Sequence, residues 1–148
     1  MRLTREWIAS HIPHRGRMCL LDEIIEWDER SIRCRSGGHR AADHPLRAHG
    51  RLGVACGVEI AAQAMAAHSA LIAPTREGKA PAAGLLASVR GVRMHLSRLD
   101  QLPGDILCDA LQIAGDAGTA LYEFVLHAAG ERVMSGRASV VLDGRPRT

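Results

Sequence analysis

The sequence predicts an α+β fold in which one strongly curved antiparallel sheet wraps around a single long helix. Three observations lead there. Residues 54–72 are apolar on every side, and a helix of that kind must be covered on every side. The second half of the chain alternates apolar and polar residues between turn signals, as half-buried strands do. The length, 148 residues with 47% hydrophobic content, suits one domain over 1–148 with one core, and excludes a disordered chain.

Each element has a local reason. Thr4 is a suitable N-cap for a short helix running to about Ser10, because its hydroxyl can accept a hydrogen bond from a backbone N–H that the helix leaves open. Residues 18–35 read as two strands with a turn near Asp28 and Glu29. A polar, histidine-rich loop, GGHRAADHPLRAHG, fills 37–50. The long helix follows over 54–72 and stops at Pro74, which cannot continue its hydrogen-bond ladder. Residues 85–96 form the next strand, and Pro103 with Gly104 turns the chain into another that starts near Asp105. Gly118 opens a further turn. Beyond it Ala120, Tyr122, Phe124, Leu126 and Ala128 alternate with residues such as Glu123 and His127, a period of two that marks one buried face. After a turn at Gly130 and Glu131, Met134, Ala138, Val140 and Leu142 give the last strand.

Composition narrows the function classes. The formal charge is +3, carried almost wholly by arginine, with Lys79 the only lysine; arginine suits planar contacts to phosphate or carboxylate, and it also suits a solvated surface. Trp7, Trp27, Tyr122 and Phe124 are the only aromatic residues of the F, W and Y classes, too few and scattered to stack bases, so nucleic acid is not expected. Cys19, Cys34, Cys56 and Cys108 show neither a CxxC pair nor zinc spacing and fit reduced core cysteines of a cytoplasmic protein. The N-terminus lacks the apolar run of a signal peptide. Residues 54–73 approach the ~20 residues that cross a bilayer, yet Glu59, Gln63 and His68 mark a core helix, and no membrane association is expected. His39, His44 and His49 recur every five residues, which matches neither helical nor strand ligand geometry, so no metal is expected.

The stretch GVEIAAQAM, residues 57–65, carries the chemistry. Glu59 stands in the first turns of an alanine-rich helix with Gln63 one turn later on the same face. The helix dipole explains an acid at this end but not its apolar surroundings, which fit a mostly buried functional carboxyl facing a cleft near the histidine-rich loop. Gln63 is placed to anchor Glu59 or a neighbouring loop. His68 lies about half a turn away in phase and reads as structural.

Three segments in order resemble the hot-dog β-hydroxyacyl-acyl carrier protein dehydratases. IPHRGRMCLLDEI is similar to that family's N-terminal proline-histidine-arginine segment. GVEIAAQAM is similar to its central helix, and ASVRGVRMHLSRLDQLPGDIL to the strand and turn of its second half. The nearest overall look is to the divergent dehydratase-like proteins of aryl-polyene and xanthomonadin-type pigment pathways. The loop departs from the family's Gly-His-Phe-Pro pattern: Gly38-His39 begins it and His44-Pro45 echoes its end.

The resemblance implies a hot-dog fold and dehydration of β-hydroxyacyl thioesters held on acyl carrier protein or coenzyme A, with no further cofactor. Such a reaction needs a base for the α-proton, an acid for the departing hydroxyl and donors for the thioester oxygen. Glu59 is expected as a carboxylic acid kept protonated by an apolar site, and His39, with His44 next, as the base. His14 is expected to be packed. Gly57, Gln63 and Arg93 are the expected substrate contacts: Gly57 by letting the thioester approach the helix N-terminus, Arg93 (like Arg15 and Arg17) by meeting a carrier's acidic face or its phosphate. A homodimer, or a heterodimer with another hot-dog subunit, is expected. Three functional readings stay open: a hydro-lyase, a weakly catalytic or non-catalytic partner of a hetero-oligomeric dehydratase, and a hot-dog thioesterase.

Overall fold

The computed structural model describes residues 2–14, 16–73, 84–116 and 118–141; Arg15, Pro74 and Leu142, which the sequence singles out, lie outside them. In chain order the elements are β1 (Leu3–Thr4), α1 (Arg5–His11), β2 (Glu23–Trp27), β3 (Ser31–Ser36), α2 (Gly57–Ile72), β4 (Leu85–Met94), β5 (Ile106–Gly115), β6 (Thr119–Ala128) and β7 (Glu131–Val141). The strands form one antiparallel sheet in the order β1-β2-β3-β5-β6-β7-β4, and α2 packs against it, which is the hot-dog arrangement.

Local chemistry sets the boundaries. Thr4 caps α1 by accepting from the Trp7 N–H at 3.4 Å. Asp28 closes the β2–β3 turn, its Oδ1 accepting from the N–H groups of Arg30 and Ser31 at 2.8 and 2.7 Å. Ala129 and Gly130, both at positive φ (52° and 79°), make the tight turn between β6 and β7. The period-two face of β6 is fully inward: Ala120, Tyr122, Phe124, Leu126 and Ala128 are all buried. They meet Ile60, Ala61, Ala64, Met65 and Ala67 of α2 within one core. The small side chains of α2 let the sheet lie close to it. At Gly57 an added Cβ would sit 3.0 Å from Leu126 Cδ2 and 3.3 Å from Met134 Cε. Val54–Ile72 is long and apolar enough to cross a membrane by length and composition, and here it is the helix at the centre of this core.

His68 shows how the core handles a polar group. Its Nε2–H donates to the Asp28 carbonyl at 2.9 Å, so Nδ1 accepts from the Tyr122 hydroxyl at 2.7 Å. The ring thus ties α2 to β6 and to the β2–β3 turn. Burial pushes the His68 pKa down, and burial followed by the charge of Arg47 does the same at His44. Both depressions predict a pH window. Above the unfolded histidine value of about 6.5 both states are neutral and stability is intact; as pH falls below it, the unfolded chain takes up protons that the fold resists. Melting midpoints should therefore fall between pH 7 and pH ~5, before most carboxylates titrate. An unchanged midpoint over that interval contradicts it.

Candidate functional site

The entrance of α2 is built in two steps. A 3-10 turn, Val54–Cys56, precedes the helix proper, and the Gly57 N–H is bonded back to the Val54 carbonyl. The Val54 N–H goes to Ser97 O at 3.1 Å and the Cys56 N–H to Gly53 O at 3.1 Å. Among the described residues the Ala55 N–H makes no backbone hydrogen bond outside its own turn. The open donor at this end is thus Ala55, two residues before Gly57. Gly57 also has a packing reason: its missing side chain accommodates Leu126 and Met134 of the sheet.

Most of α2 is enclosed, but one stripe is not. Ala55, Val58, Glu59 and Ala62 are partly or fully exposed, and they fall at i, i+3, i+4 and i+7 on one helical face. Glu59 is therefore a single carboxylate in a small apolar strip that ends where Ala66 is again buried.

The histidine at Glu59 is His14. Its Nε2 lies 2.7 Å from Glu59 Oε1, with the two side chains 26% and 33% exposed. Gln63 Nε2 donates to the same Oε1 at 3.3 Å and to the Met18 carbonyl at 2.7 Å, while Gln63 Oε1 accepts from the Leu20 N–H at 2.8 Å. Oε1 is thus the accepting oxygen of the group, as it is in a carboxylate and equally in the carbonyl of a protonated acid. Gln63 is fully buried and its amide is used up on Glu59 and the 18–20 segment, so it has nothing left for a substrate. His14 Nδ1 is buried and, among the described residues, without a partner.

The loop histidines stand elsewhere. His39 is 1% exposed, its Nε2 donating to the Leu102 carbonyl at 3.0 Å and its Nδ1 buried without a partner among the described residues. The ring is thus enclosed by residues of its own chain. The loop, moreover, is stitched down. Arg47 donates to the carbonyls of Arg40, Ala41 and Gly50, and Arg17 to that of Asp43. Asp100 draws in Arg98, Arg47 and the Leu52 N–H, and the Arg98 contact holds its carboxyl well below the usual carboxylate range. His44 is half-buried, its Nδ1 accepting from the Leu46 N–H at 3.1 Å, and it lines a cavity of about 180 Å³ with Arg5, Arg17, Cys19 and Asp43. His49 is exposed. Arg93 is exposed on β4 opposite Ser135, and no hydrogen bond or ion pair among the described residues ties it to Glu59. Among the described residues no group of three His, Cys, Asp or Glu could hold a metal ion.

The structure thus assembles His14, Glu59 and Gln63 and leaves His39, His44 and Arg93 outside their hydrogen-bond network. Sequence reasoning set His14 aside as a packing residue. Its signal was present in the proline-histidine pair of the N-terminal segment, but the contact spans two distant parts of the chain.

Comparisons with known proteins agree with this architecture. A family model described as ApeP-like, ApeP dehydratase, matches residues 6–145. The dehydratase heterocomplex ApeI:P from Xenorhabdus doucetiae superposes with a TM-score of 0.81 at 21% identity, covering 93% of this chain and 91% of that one. A mutant thioesterase from Pseudomonas aeruginosa gives a TM-score of 0.67 at 16% identity, with 95% and 94% covered. A thioesterase from Haemophilus influenzae gives 0.65 at 14% identity, with 94% and 90% covered. No curated protein sequence matches the chain significantly.

Proposed function

Because the chain belongs to the ApeP-like dehydratase family, we propose that it is a hydro-lyase converting β-hydroxyacyl thioesters to trans-2-enoyl thioesters, with Glu59 as the reacting carboxylate. The observation that carries this is the His14–Glu59 contact of 2.7 Å on the uncovered stripe of an otherwise buried helix. A carboxylate held by donors, beside apolar residues that can line an acyl chain, suits proton transfer at the α- and β-carbons. The Ala55 N–H is the nearest candidate donor for the thioester oxygen at this helix end. The acyl group would arrive on acyl carrier protein or coenzyme A, with no other cofactor, in the cytoplasm.

A second hot-dog subunit is part of this reading. Among the described residues β4 pairs only with β7, which leaves its other edge open, and Leu85, Leu86 and Met94 are exposed along it. An open edge with large apolar side chains calls for a partner. The heterocomplex named for the structural relative supports a different hot-dog chain as that partner; a second copy is the alternative.

The experiment is direct. The protein, alone and with a candidate hot-dog subunit, is incubated with a β-hydroxyacyl thioester while enoyl product and free thiol are followed. Enoyl product from the protein alone supports the hydro-lyase. Enoyl product only with the second subunit supports the partner form of the same reading. Free thiol without enoyl product assigns a thioesterase, and no product in either mixture overturns the proposal.

A further inference from the structure

We infer that the open edge of β4 disfavours a second copy of this chain and selects a hot-dog subunit with an acidic edge strand, through two unpaired arginines, Arg90 and Arg93. This deepens the second-subunit reading above and rests on it.

The strand carries two unlike rows of side chains. Its register sets Leu86, Val89 and Met94 opposite Val140, Ala138 and Met134 of β7, all buried, so these three continue the inner face of the sheet. Val92 belongs with them: a Cβ added at Gly136 would meet Val92 Cγ2 at 3.3 Å and the buried Phe124 ring as well. Leu86 and Met94 are nevertheless exposed, because no described strand lies beyond β4.

The outer row is different. Arg90 stands opposite Arg137, and Arg93 opposite Ser135; Ser88 shares their face, its hydroxyl 2.6 Å from that of Ser139. Register shifts between Leu86 and Ser88 and between Arg90 and Arg93 keep the arginines on one face, with Gly91 at φ 59° inside the second. The whole strand, LLASVRGVRM, holds two arginines and no acid. Both arginines are exposed and make no hydrogen bond or ion pair among the described residues. Glu123, on the same face two strands in, is already held by Arg137 at 3.1 Å.

These rows decide which partner fits. Two β4 edges pairing about a two-fold axis must keep inner row beside inner row, since a slip of one residue turns the apolar row to solvent. The outer rows then meet too. An axis at Arg90, at Arg93 or between them sets arginine opposite arginine, with Cβ atoms about 5 Å apart and no acid on either strand. An axis elsewhere slides the ladder off the middle of the strand and leaves part of the apolar row bare. A strand with apolar residues inside and Asp or Glu outside keeps the cover and converts repulsion into opposite-charge pairs. The apolar row supplies the affinity and the arginines supply the choice.

An acidic copy of this chain can stand in for such a partner. Sedimentation equilibrium at about 50 mM salt, where surface charges are weakly screened, compares the wild type, the Arg90→Glu/Arg93→Glu variant and their equimolar mixture. The mixture should show a dissociation constant about tenfold below that of wild type alone, and about 1 M salt should erase most of the difference. The neutral Arg90→Gln/Arg93→Gln variant should self-associate more tightly than wild type, a readout that does not depend on the acidic variant folding. A mixture no tighter than wild type alone, or a neutral variant no tighter than wild type, overturns the proposal. If in that event the acidic variant also loses binding to a phosphopantetheinylated acyl carrier protein, the arginines serve the carrier instead. Enoyl formation enters none of these measurements, so failure here and failure of the dehydratase reading are told apart.

Discussion

Glu59→Gln should abolish dehydration, lowering kcat by about 1,000-fold or more, because the amide can neither take the α-proton nor return it to the hydroxyl. The substitution is close to isosteric. Its carbonyl oxygen still accepts from His14 and from Gln63, the two contacts the carboxylate makes at 2.7 and 3.3 Å. The side chain is a third exposed, and no backbone group depends on it in the described contacts. Stability should therefore stay within about 0.5 kcal/mol. Steady-state kinetics beside a thermal melt read both quantities. A variant that keeps a tenth of the wild-type rate would remove Glu59 from the chemistry and leave it a structural acid at a helix entrance.

The second large effect is expected at Gln63, on stability and activity together. Its amide is fully buried and joins three things: the Leu20 N–H, the Met18 carbonyl and the Glu59 carboxylate. Leucine fills much the same volume but offers no partner, and Leu20 is itself buried. Leaving such a backbone N–H unpaired costs about 1–3 kcal/mol, which in a chain of this size lowers the melting temperature by roughly 2–10 °C. The Met18 carbonyl belongs to an exposed residue, where solvent can replace the amide, so its loss should add less. Activity should fall about tenfold because one of two restraints on Glu59 is gone. Denaturant midpoints and kcat measured on the same preparation test the coupling; a stable Gln63→Leu variant with full activity would show that the amide anchors nothing of consequence.

The fold was largely legible because its elements obey local rules. The alternation over Ala120–Ala128 survives intact as the inward face of β6, and the apolar run of α2 does meet a sheet. Asp28, Thr4 and Gly130 end or begin elements by chemistry that needs only near neighbours. The site was legible only in part. Glu59 and Gln63 stood out because polar residues on a buried helix need a reason. Their partners did not, since Gln63 bonds 43 and 45 positions back along the chain and that distance is set by tertiary packing. The placement of His39 was hidden for the same reason: a Gly-His pair announces a turn, but that the ring meets the Leu102 carbonyl depends on where residues 97–102 run. The packing at Gly57 was hidden differently, because the sequence cannot say which side of a helix the sheet approaches.

The burial of the thiols has a practical corollary for anyone wishing to watch this protein work. Cys19, Cys34 and Cys108 are sealed in the core, and burial pushes their pKa values up, so in the native state they resist alkylation. Burial raises the Cys56 thiol pKa too, but Cys56 is only partly covered, and it sits at the N-cap of α2, one turn ahead of Glu59. A maleimide fluorophore applied to the folded chain should therefore attach at one place, beside the reacting carboxylate, without any engineered cysteine. Its emission would report substrate or subunit arriving at that helix end, and the three remaining thiols, labelled by a second colour, would count the molecules that have opened.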